Sequence, residues 1–530
     1  MLGNLNKTAY QNHKSPAFGN GLVTKILTSP ILTGGFTFLE QNPAWEIVGL
    51  DFATMIAPRT YIDYKQNPDY GREAAFRETS SIVDLVFVPA AIGGVAMWGK
   101  KYGGLHTNSN TLTALHEAWK NAKGATKEEK AVNYLNEVFK SAKGQDGTKW
   151  KSLYDSLIEK FGKTQGEEKF NTFVGKAAKI ITDGSKDTSE LSKIFKEATH
   201  AAGNVKVKIG KHEFGNSIEN ILRDTIGAAQ KVFIKNEEGN LPAVVEDLCK
   251  FFRKKSIAAA TIAVVGGFGL HFMNETITKM KTGSTKFTGY KDFGQNNSEN
   301  EKDTQKSSNF IAKKALATAG MALITLGSMG AFKKDAGFLR QGVKKGWDTF
   351  VKSIELNGPF PNMNLIKLIL GSVLTGRFVM ARDKTELQVS TYRDYSTFFN
   401  LLVVGPLITK GVTQAIDKTL VNGKAAGKGL EKVLSWFGSD VSAKTISEIQ
   451  TKWPGNKSKM AVYNGCKALS LGWQLFALGI GMPYILNKFI IDKSGNGNTK
   501  NTNSNKNTIN DFITKHKQVY ANYGGLITHG

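Results

Sequence analysis

Arginine is the residue type whose placement in this chain could do chemistry. Of 70 basic residues only nine are arginines, and six of those nine fall in two short stretches read as linkers between apolar segments. Arg59, Arg72 and Arg77 lie within 59–80, and Arg377, Arg382 and Arg393 lie within 377–397. A planar guanidinium makes paired hydrogen bonds to a carboxylate or phosphate that a lysine ammonium cannot. Each stretch also carries acids: Asp63, Asp69, Glu73 and Glu78 in the first, Asp383, Glu386 and Asp394 in the second. Such near-balance favours arginine–carboxylate pairs that lock two parts of the chain together. The functional alternative is a pair of clamps for an anionic solute or lipid head group, gated by exchange of partners.

Other chemistry is not written at recognisable spacings. His116-Glu117 and His212-Glu213 lack the second histidine of a zinc-protease helix. Gly423–Gly429 (GKAAGKG) lacks the spacing of a phosphate loop, and no nucleophile elbow or dinucleotide fingerprint occurs. Two cysteines, Cys249 and Cys466, build neither a disulfide framework nor a cysteine zinc site. The expectation is therefore a non-enzyme with no cofactor and no metal. A net charge of +25 favours anionic partners, membrane lipids first and an anionic solute second. Nucleic acid is not expected, because lysines alternate with glutamates instead of forming a basic stripe with interleaved aromatics.

The elements that must position these arginines are apolar runs. Ile82–Trp98 carries one charge, Asp84, whereas Ile257–Met273, Ala315–Phe332 and Ala468–Leu486 carry none. At 17 to 19 residues each reaches the lower limit for crossing the roughly 30 Å of bilayer hydrocarbon. Three shorter blocks accompany them: Trp45–Pro58, Leu365–Gly376 and Phe398–Ile408. Lysine pairs at 100–101, 254–255 and 313–314 bracket the better runs, and Gly-Gly or Gly-x-Gly pairs stud them. Small residues let helices approach closely in lipid, whereas in water each weakens a helix by about 1 kcal/mol. Asp51, Asp84, His271 and Asn400 are the polar residues expected inside the apolar segments. His271 is expected to hydrogen-bond to a neighbouring helix.

The segments recur. Phe76–Ile92 and Tyr392–Ile408 match at a constant offset of 316, with Arg77/Arg393, Glu78/Asp394, Ser80/Ser396 and Asp84/Asn400 paired. Upstream, Leu50–Arg59 resembles Leu368–Arg377; downstream, Gly267-Phe268-Gly269 resembles Gly479-Ile480-Gly481. Three segments per unit would give an inverted repeat, and the extra run Ala315–Phe332 would restore a parallel one.

These patterns predict an all-α, polytopic helical membrane protein of six to seven spans, with internal duplication and a soluble helical insert. Residues 1–44 form an N-terminal segment without a cleavable leader, suited to an interface. Residues 45–100 hold the first two helices of unit 1, 101–255 the insert and 256–280 the third helix. A flexible linker follows at 281–310, a connecting helix and loop at 311–360, unit 2 at 361–492 and a polar tail at 493–530. In the insert, Leu153/Leu157/Phe161, Phe170/Phe173/Val174/Ala177 and Ile218/Ile221/Leu222/Ile226 fall on helical faces. Val205–Ile209 alternates like a strand but has no evident partner, so some six helices are expected. The favoured function is transport of a solute at a site between the units. The rivals are a membrane scaffold or tether for the basic insert, and a soluble helical interaction protein. The expected location is a membrane, with a bacterial cytoplasmic membrane favoured.

Overall fold

The computed structural model describes most of residues 21–488. Residues 1–20, 284–307, 330–341, 430–440 and 489–530 lie outside the description, as do short gaps such as 99–104 and 424–427. The 493–530 tail and most of the 281–310 linker are therefore not described, nor is most of the Gly423–Gly429 turn.

The chain is mostly helical. Seven helices carry the architecture: α1 (43–66), α2 (Pro68–Trp98), α3 (Leu241–Thr282), α4 (Ser308–Ser328), α5 (Met363–Val379), α6 (Lys384–Ile416) and α7 (Lys457–Leu486). Five of them, α2, α3, α4, α6 and α7, are long and apolar enough to cross a membrane. The other two pack beside them, and α5 has 17 residues.

Contacts fix the direction of each. At one end the loop after residue 353 grips the insert: Ser109 N and Oγ donate to Glu355 Oε2 at 3.1 and 2.8 Å, and Leu356 N donates to Ser256 Oγ at 2.8 Å. The start of α1 pairs with α7 at this end through Glu46 and Lys467, 3.0 Å apart. At the opposite end Tyr70, Val389, Met482 and Leu486 share a small core, and Phe310 packs with Phe378 and Leu387. So α1, α3, α5 and α7 run away from the insert, and α2, α4 and α6 run toward it. The sets α1–α3 and α5–α7 consequently share one sense, with α4 making the return.

Four of these seven helices contain a π-helical stretch: Phe52–Ile56, Val83–Phe87, Asn400–Val404 and Ala477–Gly481. A proline follows each stretch two residues on, at Pro58, Pro89, Pro406 and Pro483. Proline brings no N–H and its ring crowds the carbonyl four residues back, so the preceding turn widens. The Arg-rich stretches differ from expectation. They are not linkers but helix. The only breaks are Asn67, between α1 and α2, and residues 380–383, between α5 and α6.

The insert has its own core, running from Leu105 to Phe252 and centred on Trp119, Tyr134, Phe139, Phe170, Phe173 and Phe233. All the helical faces read from sequence point into it. Its sheet was not expected. Strands β1 (Lys143–Asp146), β2 (Lys149–Ser152), β3 (Asn204–Ile209) and β4 (His212–Ser217) form an antiparallel sheet ordered β2-β1-β3-β4. The run at 205–209 is thus a paired strand. Its neighbours KGQD, KWKS and HEFGNS carry too few apolar residues to announce themselves. Helix α3 begins inside the insert at Leu241 and runs on beyond it. At 42 residues and 1.5 Å per residue, α3 is a rod of about 63 Å, twice the hydrocarbon thickness.

Asp224 is buried in this core. Burial pushes its carboxyl up to about 7, against partial opposition from Arg223 and Thr107. Between the ordinary value of 3.8 and about 7 the unfolded chain loses this proton while the folded one keeps it, so stability falls as pH rises. The fragment 105–252 is expected to fold alone and to lose up to a few kcal/mol across that window, then stay level. Thermal unfolding against pH checks this: Asp224→Asn should flatten the slope, and an unchanged slope would contradict it.

Candidate functional site

The arginine cluster is set by two helix caps. Asn67 Oδ1 accepts from Asp69 N and Tyr70 N at 3.0 and 3.3 Å and starts α2 at Pro68. Asp383 accepts from Glu386 N at 2.9 Å and starts α6. Both helices therefore begin at the end remote from the insert, with their polar first turns facing each other. Glu73, Arg77 and Glu78 point inward from α2, and Glu386, Arg393 and Asp394 from α6. Arg377 comes from the last turn of α5 and Arg382 from the turn after it.

These eight side chains, four cations and four anions, are all buried. Arg377 Nη2 donates to Glu78 Oε2 at 2.8 Å and to Ser81 Oγ at 3.1 Å, and its Nη1 donates to Asp394 Oδ1 at 3.0 Å. Arg393 Nε donates to Asp394 Oδ1 at 2.6 Å. Arg382 Nε donates to Glu386 Oε2 at 2.9 Å, and its Nη2 to Glu73 Oε1 at 2.5 Å. Burial alone would pull the Arg382 guanidinium down, but Glu386 and Glu73 more than offset it, so its charge is held. Arg77 lines a cavity of about 20 Å³ with His271, Asn274 and Arg377, room for about one water molecule and too little for a phosphate.

The structure brings together Glu73, Arg77, Glu78, Arg377, Arg382, Glu386, Arg393 and Asp394 from the two stretches. It leaves others apart. Arg72 is exposed and pairs with Asp69 at 3.4 Å. Asp383 caps α6. Asp63 is buried near the end of α1, and Asp51 is half-buried in the same helix. The side chain of Arg59 lies outside the described residues. His271 Nε2 donates to Val373 O on α5 at 3.0 Å, the inter-helix bond expected of it. Asn400 donates to Ser396 O at 2.9 Å and accepts from Trp473 Nε1 at 3.2 Å.

A second feature was missed from sequence. A cleft of about 820 Å³ lies between α1 and α5–α7 near the insert end. Its walls include Ile47, Leu50, Leu401, Leu402, Leu407 and Leu471, with Lys367, Lys410 and Lys467 among them and Glu46 as the one acid among the described residues. Lys367 Nζ donates to Ser328 O at 2.7 Å, Lys410 Nζ to Val441 O at 3.1 Å, and Lys467 pairs with Glu46. Backbone carbonyls thus help to hold two of the ammonium groups in place. An apolar wall set with lysine side chains suits an anion that carries an apolar body. The signal was available: Lys367 sits inside an apolar block and Lys410 directly after one. Among the described residues no group of histidine, cysteine and acidic side chains could hold a metal. No family model, curated protein or solved structure matches this chain.

Proposed function

We propose that the protein is an integral membrane transporter whose two related three-helix units take an anionic, partly apolar solute in the cleft beside Lys367, Lys410 and Lys467. The observation that carries this reading is the cleft: a cavity of about 820 Å³ with apolar walls and Lys367, Lys410 and Lys467 among its described lining residues, set where α1 of the first unit meets α5–α7 of the second. Membrane embedding is supported by where apolar surface lies. Phe52, Phe87, Val95, Ile262, Val265, Phe272, Leu316, Leu323 and Phe476 stand exposed along the long helices. Between 99 and 261 no large apolar side chain does so among the described residues. Water would penalise that surface; lipid does not.

Duplication is supported by four coincidences. The caps Asn67 and Asp383 are 316 residues apart, the offset of the sequence match. The π-helical stretches of α2 and α6 each precede a proline, and α1–α3 and α5–α7 run in the same sense. The paired glycines approach the other unit reciprocally: a Cβ on Gly267 would stand 2.8 Å from Val373 of α5, and one on Gly479 would stand 3.4 Å from Thr54 O of α1.

The test is uptake of a panel of radiolabelled organic anions into vesicles containing the full chain. Lys367→Gln combined with Lys410→Gln should reduce uptake at least about tenfold, since each 1.4 kcal/mol of lost attraction is a factor of ten. A panel with no uptake above empty vesicles would overturn the reading. In that event the tether reading gains, which the unbroken α3 and the Ser109–Glu355 bonds favour by fixing the insert rigidly to the membrane helices.

A further inference from the structure

Asp84 has no place in either site. It lies in the π-helical stretch of α2, within the apolar run, and is only 3% exposed. Its carboxylate rests on the glycine pair of α3: a Cβ built on Gly266 would stand 2.6 Å from Oδ1, and one on Gly267 would stand 3.3 Å from Oδ2. Oδ2 makes no hydrogen bond among the described residues. The matching residue in the second unit, Asn400, is a neutral amide with both ends engaged, on Ser396 and Trp473. One unit therefore carries a satisfied amide where the other carries an acid pressed against main chain.

The charged groups on the helices around it have other partners. On α2, Glu78 receives Arg377 and lies 3.8 Å from Arg77. On α3, His271 is bonded to Val373 O, Lys255 lies over the Phe252 ring, and Glu275 lines the small cavity by the cluster. On α5, Lys367 reaches Ser328 O and Arg377 serves Glu78 and Asp394. A buried carboxyl oxygen with no hydrogen bond and no counter-ion among the described residues can be satisfied by a proton.

We propose that Asp84 is a proton-binding site coupled to the spacing of α2 and α3. Packed on Gly266–Gly267 it is the carboxylic acid. When the helices part and water reaches it, the O–H bond breaks, the proton passes to water and the carboxylate remains; reprotonation from water reverses the step. The wide π-helical turn gives α2 local slack at the position where movement is needed. The inference goes beyond the anion cleft and does not depend on it.

Infrared difference spectroscopy on the full chain in lipid vesicles tests it, comparing wild type with Asp84→Asn through a pH series. The expected result is a protonated-carboxyl C=O band in wild type that Asp84→Asn lacks and that fades as the medium is made alkaline. A second measurement uses the unaltered protein. A hydrophobic carbodiimide, which adds to buried protonated carboxyls, should modify the Asp84 peptide in mass spectra, less so as pH rises. Superimposable spectra, or an Asp84 peptide unmodified at every pH, would overturn the proposal. Either failure leaves the anion-uptake result standing, and a failed uptake panel leaves this one standing.

Discussion

Arg377→Ala is expected to lower the stability of the full-length protein by about 3–5 kcal/mol, the penalty for leaving buried charges without their partner. Arg377 is the link that joins α5 to both polar helix ends, through Glu78 and Ser81 of α2 and Asp394 of α6. Removing it takes a shared partner from two buried carboxylates, leaving Asp394 on Arg393 and Glu78 3.8 Å from Arg77. Arg377→Lys should recover only part of the loss, because one ammonium cannot reach Glu78 and Asp394 with the geometry of a fork. Arg377→Met with Glu78→Gln should recover more, since the uncompensated charge goes with its partner. Arg72→Lys is the control: Arg72 is exposed, and its pair with Asp69 should carry no measurable stability. Thermal unfolding in detergent reads all four. If the Ala and Lys variants melt with wild type yet lose anion uptake, the arginines are a ligand clamp and not a lock.

The second large effect is expected at Gly71. A Cβ there would stand 2.3 Å from Tyr64 Cα and 2.5 Å from Tyr64 N, main-chain atoms of α1 that no side-chain rotation can clear. The turn at Asn67 is one residue long, so α1 and α2 have no slack to separate. Gly71→Ala should therefore cost about 1–3 kcal/mol or more, and the shift should reach Glu73 and Arg77 one turn on. Gly94→Ala, with nothing within 4 Å of its Cβ position, should be neutral or stabilising, because alanine is the better helix former. Equal melting of the two variants would contradict the close α1–α2 packing.

Much of the layout was legible because it rests on composition over long windows. The run Ile82–Trp98 is the apolar half of α2, and the faces at Leu153, Phe170 and Ile218 line the insert core. The arginine anomaly was legible for a different reason: a chain that uses lysine elsewhere spends guanidinium where a fork is required. What sequence did not show is set by tertiary partners. The strands β1, β2 and β4 are polar and short, and only their pairing with β3 makes them strands. The stretches around the arginines looked like linkers because they are polar, yet they are helix, since their charges neutralise one another inside the fold. Helix α3 hides its length because its first half faces the insert core and its second half the α2 and α5 surface. The Lys367–Lys410–Lys467 cleft draws on three helices, and no local window contains it.

Alkaline carbonate extraction of membranes from expressing cells tests the central claim most directly. Carbonate strips proteins held by charge and leaves those threaded through the bilayer. With five helices long and apolar enough to cross and exposed apolar surface along them, the full chain is expected to stay with the membrane pellet. Release of the folded chain into the soluble fraction would contradict membrane embedding, and with it the transport proposal.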